Sequence, residues 1–316
     1  MPLDLQAQAV ADALAGLPAP DPGPMTIEAY PAFVGAFPPL PGDPIAGVEE
    51  RSIPVPGGAL RVRLYRPQHG TRLPLTVFFH GGGFVSGSLA THDNLCSRLA
   101  REAATVVASV DYRLAPEHRF PAAANDAIAA IRGLHQQASA LDVDGTRIAV
   151  AGDSAGGNLA AVAAQQCALV DGPRICHQLL LYPVLDSGCA TPSFSAHAQG
   201  ALLSAALMRW FWRQYLPNET AGADPMASPA RQACLQGLPA ATIISAECDP
   251  LRDEAEAYAA ALAKAGVPVD LRRWPGQFHG FASLLGQLEQ ADKAVAHAAQ
   301  CLRRAFDAET ELEATL

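Results

Sequence analysis

From Arg51 onward the apolar positions fall into short β-rich runs separated by longer helical ones. Ser52–Val55 and Leu60–Tyr65 flank Pro56-Gly57-Gly58, which reads as a hairpin. Pro74–Phe79, Ala104–Val110, Arg147–Ala151, Gln178–Leu181, Ala241–Ala246 and Val269–Arg273 are further strand-like runs, too short for independent helices. Between them lie an amphipathic helix at His92–Glu102 and helices at Ala122–Ala138, Ala155–Leu169, Asp253–Ala265 and Leu284–Phe306. Gly266 and Pro268 form a stop signal for the fourth of these. Strand and helix alternating in this way predict a mostly parallel eight-stranded sheet with helices on both faces, the antiparallel hairpin forming one edge.

Two intervals depart from the alternation. In residues 1–45, Val10, Leu14 and Leu17 share a helical face that Pro18, Pro20, Pro22 and Pro24 end. A second apolar stretch, Ile27–Phe37, precedes prolines at 38, 39, 41 and 44. The other interval runs from Leu181 to Ala241, roughly sixty residues where one crossover helix needs far fewer. It carries Met208, Trp210, Phe211, Trp212 and Tyr215. Together the two intervals are expected to form a small helical cap over the carboxyl ends of the strands, where open α/β sheets bind ligands. A packing arm and a self-contained insertion core are the plainer alternative. The expected division is an N-terminal cap segment at 1–45, an α/β domain at 46–186 and 230–316, and a cap insertion at 187–229.

Composition narrows the function classes. The 316 residues are half apolar, with a formal net charge of −9 and no Lys/Arg run, which argues against nucleic acid or an anionic membrane as partner. No segment has the uninterrupted apolar length of a membrane span, and the Met1-Pro2-Leu3-Asp4 start lacks signal-peptide character. Seven cysteines without C-x-x-C spacing suit free thiols in a reducing cytoplasm better than disulfides or zinc.

The chemistry centres on Arg147–Asn158. Ile148–Ala151 run into Gly152-Asp153-Ser154-Ala155-Gly156, a G-x-S-x-G turn between strand and helix. That context is a nucleophile elbow, although the pattern by itself is weak in a chain with 26 glycines. A serine needs a base, and the base needs a carboxylate, in the chain order Ser, Asp or Glu, His. Of His177, His197, His279 and His297, only His279 follows the last strand in a glycine-bordered loop. Asp249 leaves the preceding strand directly and Pro250 keeps it from helical geometry, while Glu247, Asp253 and Glu254 compete for the role. His80-Gly81-Gly82-Gly83-Phe84 is a turn whose backbone can approach a substrate closely. A plain glycine loop is the alternative; the G-K-[ST] and G-x-G-x-x-G signatures of nucleotide sites are absent.

The chain resembles the hormone-sensitive-lipase family of α/β-hydrolase esterases, also known as bacterial family IV. The resemblance rests on His80–Phe84, Asp111–His118 with Phe120–Ala123, Gly152–Asn158, Asp249–Glu254 and His279–Phe281, in that order. It implies the α/β-hydrolase fold, a triad of Ser154, Asp249 and His279, and an oxyanion hole from the N–H groups of Gly82, Gly83 and Ala155. It also implies structural roles for Arg113 and Glu117, no metal or organic cofactor, and hydrolysis of a small-molecule ester by a monomer or homodimer. An amidase or deacetylase with the same triad, and a non-catalytic small-molecule receptor, are the rival functions. Phe84, Asp153, Trp210 and Phe281 are the expected pocket residues. The chain departs from the family at Cys248 and at Gln277-Phe278, beside the expected triad.

Overall fold

Three strands are buried at every position, their few polar side chains included: β3 (Leu73–Phe79), β4 (Val106–Val110) and β6 (Ile175–Leu181). Strands covered on both faces must lie in the middle of a sheet. In the computed structural model, which describes residues 2–15, 40–56, 58–69, 72–169 and 172–313, they do. With β1 (Gly47–Val55), β2 (Gly58–Arg66), β5 (Val143–Asp153), β7 (Ala240–Cys248) and β8 (Val269–Phe278) they form one eight-stranded sheet, ordered β1-β2-β4-β3-β5-β6-β7-β8. The β1–β2 hairpin is antiparallel in register from Gly47↔Arg66 to Val55↔Gly58, and β2 meets β4 antiparallel. The remaining pairings are parallel.

Alternation along the central strands splits the core in two. Phe78, Leu179, Leu181 and Ile244 face a cluster shared with α2 (Asp93–Ala103) and α8 (Glu289–Glu313). Val77, Phe79, Leu180 and Ile243 face a cluster shared with α3 (Ala122–Gln136), α4 (Ala155–Leu169) and α7 (Arg252–Lys264).

Element ends differ from expectation for local reasons. The strand expected at Ala104 begins at Val106, because Ala104 is the left-handed cap of α2 at φ 51°. β5 starts four residues early, Val143-Asp144 pairing with Leu73-Pro74 before a bulge. The helix expected at Leu284 starts at Glu289, behind a 3₁₀ turn at Phe281–Ser283 and Gly286 at φ 74°.

The long crossover holds α5 (Pro192–Ala196), α6 (Ala205–Tyr215) and two 3₁₀ turns. Ser204 caps α6 by accepting the Leu207 N–H at 3.1 Å. In the N-terminal interval, α1 (Leu5–Ala15) is tied to β8: Asp4 N–H donates to the Gly276 carbonyl at 3.0 Å, and Gln277 Nε2 donates to Asp4 at 2.5 Å. Leu17, the Ile27–Phe37 stretch and most of the prolines expected there lie outside the described residues.

Two packing features carry measurable consequences. At the start of α4, Gly156 sits so close to β3 that a Cβ would be driven into the Phe79 carbonyl oxygen. Backbone cannot yield as a flexible side chain can, so Gly156→Ala should lose at least about 2 kcal/mol of stability in urea unfolding. Further along, Glu254 is buried in α7 and accepts the Leu185 N–H at 2.6 Å. Burial, which the Leu185 bond only partly offsets, raises its carboxyl from 4.5 to about 8. The native state therefore holds a proton that the unfolded chain releases, and stability falls as pH rises from 4.5 to about 8. Glu254→Gln keeps an acceptor for Leu185. It should be more stable than wild type at pH 8 in thermal melts, the difference vanishing towards pH 4.5.

Candidate active site

The site is built where strands end. β3 runs into His80, β5 into Ser154, β7 into Asp249 and β8 into His279, all at the carboxyl edge of the sheet. Register keeps these ends level: Phe79 pairs with Gly152, Asp153 with Leu181, and Cys248 with Phe278.

Ser154 has φ +54°, a region that a residue with a Cβ rarely occupies. Its own backbone holds it there: Ser154 N–H donates to the Leu181 carbonyl at 2.9 Å, and the Ser154 carbonyl accepts from Val184 at 3.1 Å. His279 Nε2 lies 2.8 Å from Ser154 Oγ, and Nδ1 lies 2.8 Å from Asp249 Oδ2. An ionised carboxylate can only accept, so Nδ1 carries the hydrogen and Nε2 is left to take one from the serine. Asp249 is fully buried, and its other oxygen accepts the Leu251 N–H at 2.8 Å, which fixes the carboxylate plane.

The competing groups are engaged elsewhere. Glu247 accepts the Gly276 N–H at 2.8 Å and Asp253 accepts the Ser193 N–H at 2.7 Å, while Glu254 serves Leu185. His177, which sequence placed just before β6, lies inside it against Thr242 at 2.9 Å. His197 meets Arg252 at 3.3 Å and His297 meets Asp270 at 3.2 Å.

The glycine turn lies across from the serine. Gly83 has φ +63° and lies beneath the Phe211 ring, so near that a Cβ would overlap it. Among the described residues the N–H groups of Gly82 and Gly83 have no protein acceptor. Ala155 opens α4, where first-turn N–H groups are free. The turn is anchored from below by Asp153, whose Oδ1 accepts the Gly81 N–H at 2.8 Å and lies 3.1 Å from His92 Nε2. Burial opposes the Asp153 charge, but His92 and the Gly81 N–H outweigh it and hold the carboxyl below its ordinary range.

Above these groups is a cleft of about 290 Å³ lined by Gly82, Gly83, Ser154 and His279 on one side and by Leu202, Leu207 and Phe211 on the other. Of the expected pocket residues only Asp153 is in this lining. Phe84 is fully buried and stacked on Tyr215 with centroids 3.9 Å apart, leaving no face for a ligand. Trp210 is buried against Phe211, and Phe281 is buried between Tyr182 and Trp274. The aromatic anchors thus hold α6 and the His279 loop in place, while leucines and one phenylalanine face the cavity. Cys248, Gln277 and Phe278 are also outside the lining. Arg113 makes a forked ion pair with Asp126 of α3 at 2.7 Å, whereas Glu117 is exposed. His92 has no sequence signal, since only folding brings it to Asp153. Leu202 and Leu207 are likewise indistinguishable from core leucines by sequence.

Comparison with known proteins agrees with this architecture. A family model described as alpha/beta hydrolase fold matches residues 76–283. An ethyl acetate hydrolase of Pseudomonas putida is 41% identical over 257 residues, covering 78% of this chain and 79% of that one. A carboxylic ester hydrolase of Mycobacterium tuberculosis, LipN, is 46% identical over 254 residues, covering 78% of this chain and 67% of that one. The solved structure of a hyperthermophilic esterase from the archaeon Pyrobaculum calidifontis superposes with a TM-score of 0.89 at 41% identity, over 96% of this chain and 99% of that one. With its mostly parallel eight-stranded sheet and these relatives, the chain belongs to the α/β-hydrolase fold family, in its hormone-sensitive-lipase branch.

Proposed function

We propose that the protein is a serine carboxylesterase that hydrolyses short- to medium-chain esters of small molecules through an acyl-enzyme. The observation that carries this reading is the pair of 2.8 Å contacts linking Ser154, His279 and Asp249 at adjoining strand ends, in a chain whose relatives bear ester-hydrolase names.

In this reading His279 Nε2 takes the Ser154 proton as Oγ attacks the ester carbonyl. The imidazolium that forms is stabilised by the buried Asp249 carboxylate, which stays ionised and holds the tautomer. The carbonyl oxygen gains negative charge and is received by the N–H groups of Gly82, Gly83 and Ala155. Those donors are already unpartnered or at a helix start, so little reorganisation is needed at the moment of reaction. His279 then gives its proton to the leaving alkoxide, and the same nitrogen later activates the water that releases the acid. Restriction to modest substrates is supported by the 290 Å³ cleft and its ceiling of Leu202, Leu207 and Phe211. We assign the crossover segment 187–229 as the cap that sets this ceiling, with Leu40 of the N-terminal cap segment 1–45 beside it among the described residues. Among the described residues none of the seven cysteines is in a disulfide, which supports a reducing, cytoplasmic setting. Among the described residues no helix is long and apolar enough to cross a membrane.

Two substitutions test the reading. Ser154→Ala should lower kcat on a short p-nitrophenyl ester roughly 10⁴–10⁶-fold with the fold intact; near-native turnover would refute the assignment. Phe211→Ala removes the ring above Gly83 and enlarges the cleft. Across p-nitrophenyl esters of increasing length, its kcat/KM should shift towards longer acyl chains by about tenfold or more. An unchanged chain-length profile would mean that Phe211 does not bound the substrate.

A further inference from the structure

At the far end of β8 from His279, separated from it by roughly 25–30 Å of strand, three side chains with metal-binding chemistry converge. Asp270 is the second residue of β8, and His297 and Cys301 project from one face of α8. His297 Nε2 lies 3.2 Å from Asp270 Oδ1, Cys301 Sγ lies 3.5 Å from Asp270 Oδ2, and Sγ lies 3.7 Å from Nε2. A nucleophile relay would place Asp270 and Cys301 on opposite nitrogens of the imidazole. Here both meet Nε2, so the groups surround a point instead of forming a line.

The spacing matches a particular occupant. A tetrahedral zinc ion with bonds of about 2.0 Å to nitrogen and oxygen and 2.3 Å to sulfur separates its ligand atoms by about 3.3–3.6 Å. The observed contacts of 3.2 Å from Nε2 to Oδ1, 3.5 Å from Sγ to Oδ2 and 3.7 Å from Sγ to Nε2 are close to that figure. The two Asp270 contacts use different oxygens, so both carboxylate oxygens face the cluster. One thiolate, one imidazole and one carboxylate form a donor set for a borderline divalent ion, and too soft a set for magnesium or calcium.

Arg304 supplies an independent sign that the position favours positive charge. Its Nη2 donates to Cys301 Sγ at 3.0 Å and lies 3.6 Å from Asp270 Oδ2. The Arg304 side chain is 61% exposed and that of Asp270 41%, so the guanidinium can swing aside and a hydrated ion can enter.

We propose that Asp270, His297 and Cys301 bind a divalent transition-metal ion of zinc's class, with the fourth position open to water. Coordination replaces the Cys301 thiol proton, which passes to the buffer, and no electron is transferred. Bound metal ties β8 to α8, the two elements that flank the His279 loop. It therefore adds thermal stability without entering the reaction.

Cobalt and zinc provide the test, on the full-length reduced protein after treatment with a chelator. One equivalent of Co²⁺ should give tetrahedral d–d bands and a thiolate charge-transfer band, both removed by one equivalent of Zn²⁺. The charge-transfer band should be lost in Cys301→Ser, and tight binding should be lost in His297→Ala. Cys234→Ser, which alters an exposed thiol elsewhere, should leave the spectrum unchanged. Arg304→Ala removes the competing cation and should tighten binding by about tenfold, the scale on which outer groups tune metal affinity. Zn²⁺ should raise the melting temperature of wild type but not of Cys301→Ser, and all variants should retain ester hydrolysis, which reports that they fold. Wild type without the charge-transfer band, or Cys301→Ser with it, would overturn the proposal.

Discussion

The structure turns on how closely α4 leaves the sheet at Ser154. Gly156 presses on the β3 backbone, and Gly157 lies against Pro183, so side chains there would push the helix outward. That pressure is what allows Ser154 to remain at φ +54°, a conformation costing of order 1–3 kcal/mol that local sequence would not choose. The hydrogen bonds to Leu181 and from Val184 hold the serine between β5 and β6. The result is a hydroxyl raised above the sheet and a helix N-terminus beneath it, both produced by one steric constraint.

A second layer of buried polar groups holds the facing glycine turn. Asp153 fastens the Gly81 N–H, and the Tyr112 hydroxyl donates to the His80 carbonyl at 2.7 Å. His80 is buried beside His92, and burial pushes its imidazole down to about 4, so it is neutral in the physiological range. It stacks on Tyr112, and its Nδ1 donates to the Gly81 carbonyl at 2.8 Å. The His80 and Gly81 carbonyls and the Gly81 N–H are thereby occupied, and the Gly82 carbonyl accepts from Val85 and Ser86, which leaves the N–H groups of Gly82 and Gly83 at the cleft. Preorganised donors of this kind are worth more than flexible ones, because they need not be reoriented as charge develops.

The aromatic segment of the crossover has two functions divided by helical periodicity. Trp212 and Tyr215 pack downward on Phe84, while Leu207 and Phe211, four apart, face the cleft. The heavy side chains therefore set the height of α6, and the lighter ones set the room beneath it.

Strand–helix alternation, the G-x-S-x-G turn, the glycine turn after β3 and the order Ser154, Asp249, His279 were all legible in the sequence. Each is local: a short apolar run, a steric exception or a position at a strand end. Among carboxylates, strand-end position favoured Asp249, and the structure accounts for Glu247, Asp253 and Glu254 by giving each a backbone N–H to accept. What tertiary structure decided was which apolar side chains face the cavity. Phe84, Trp210 and Phe281 looked like pocket aromatics, but neighbouring rings cover them; Leu202, Leu207 and Phe211 face the cleft instead. The convergence of Asp270, His297 and Cys301, and the reach of His92 to Asp153, were equally hidden. Periodicity says that a side chain is on an inward face, but only the packing of distant segments determines what that face meets.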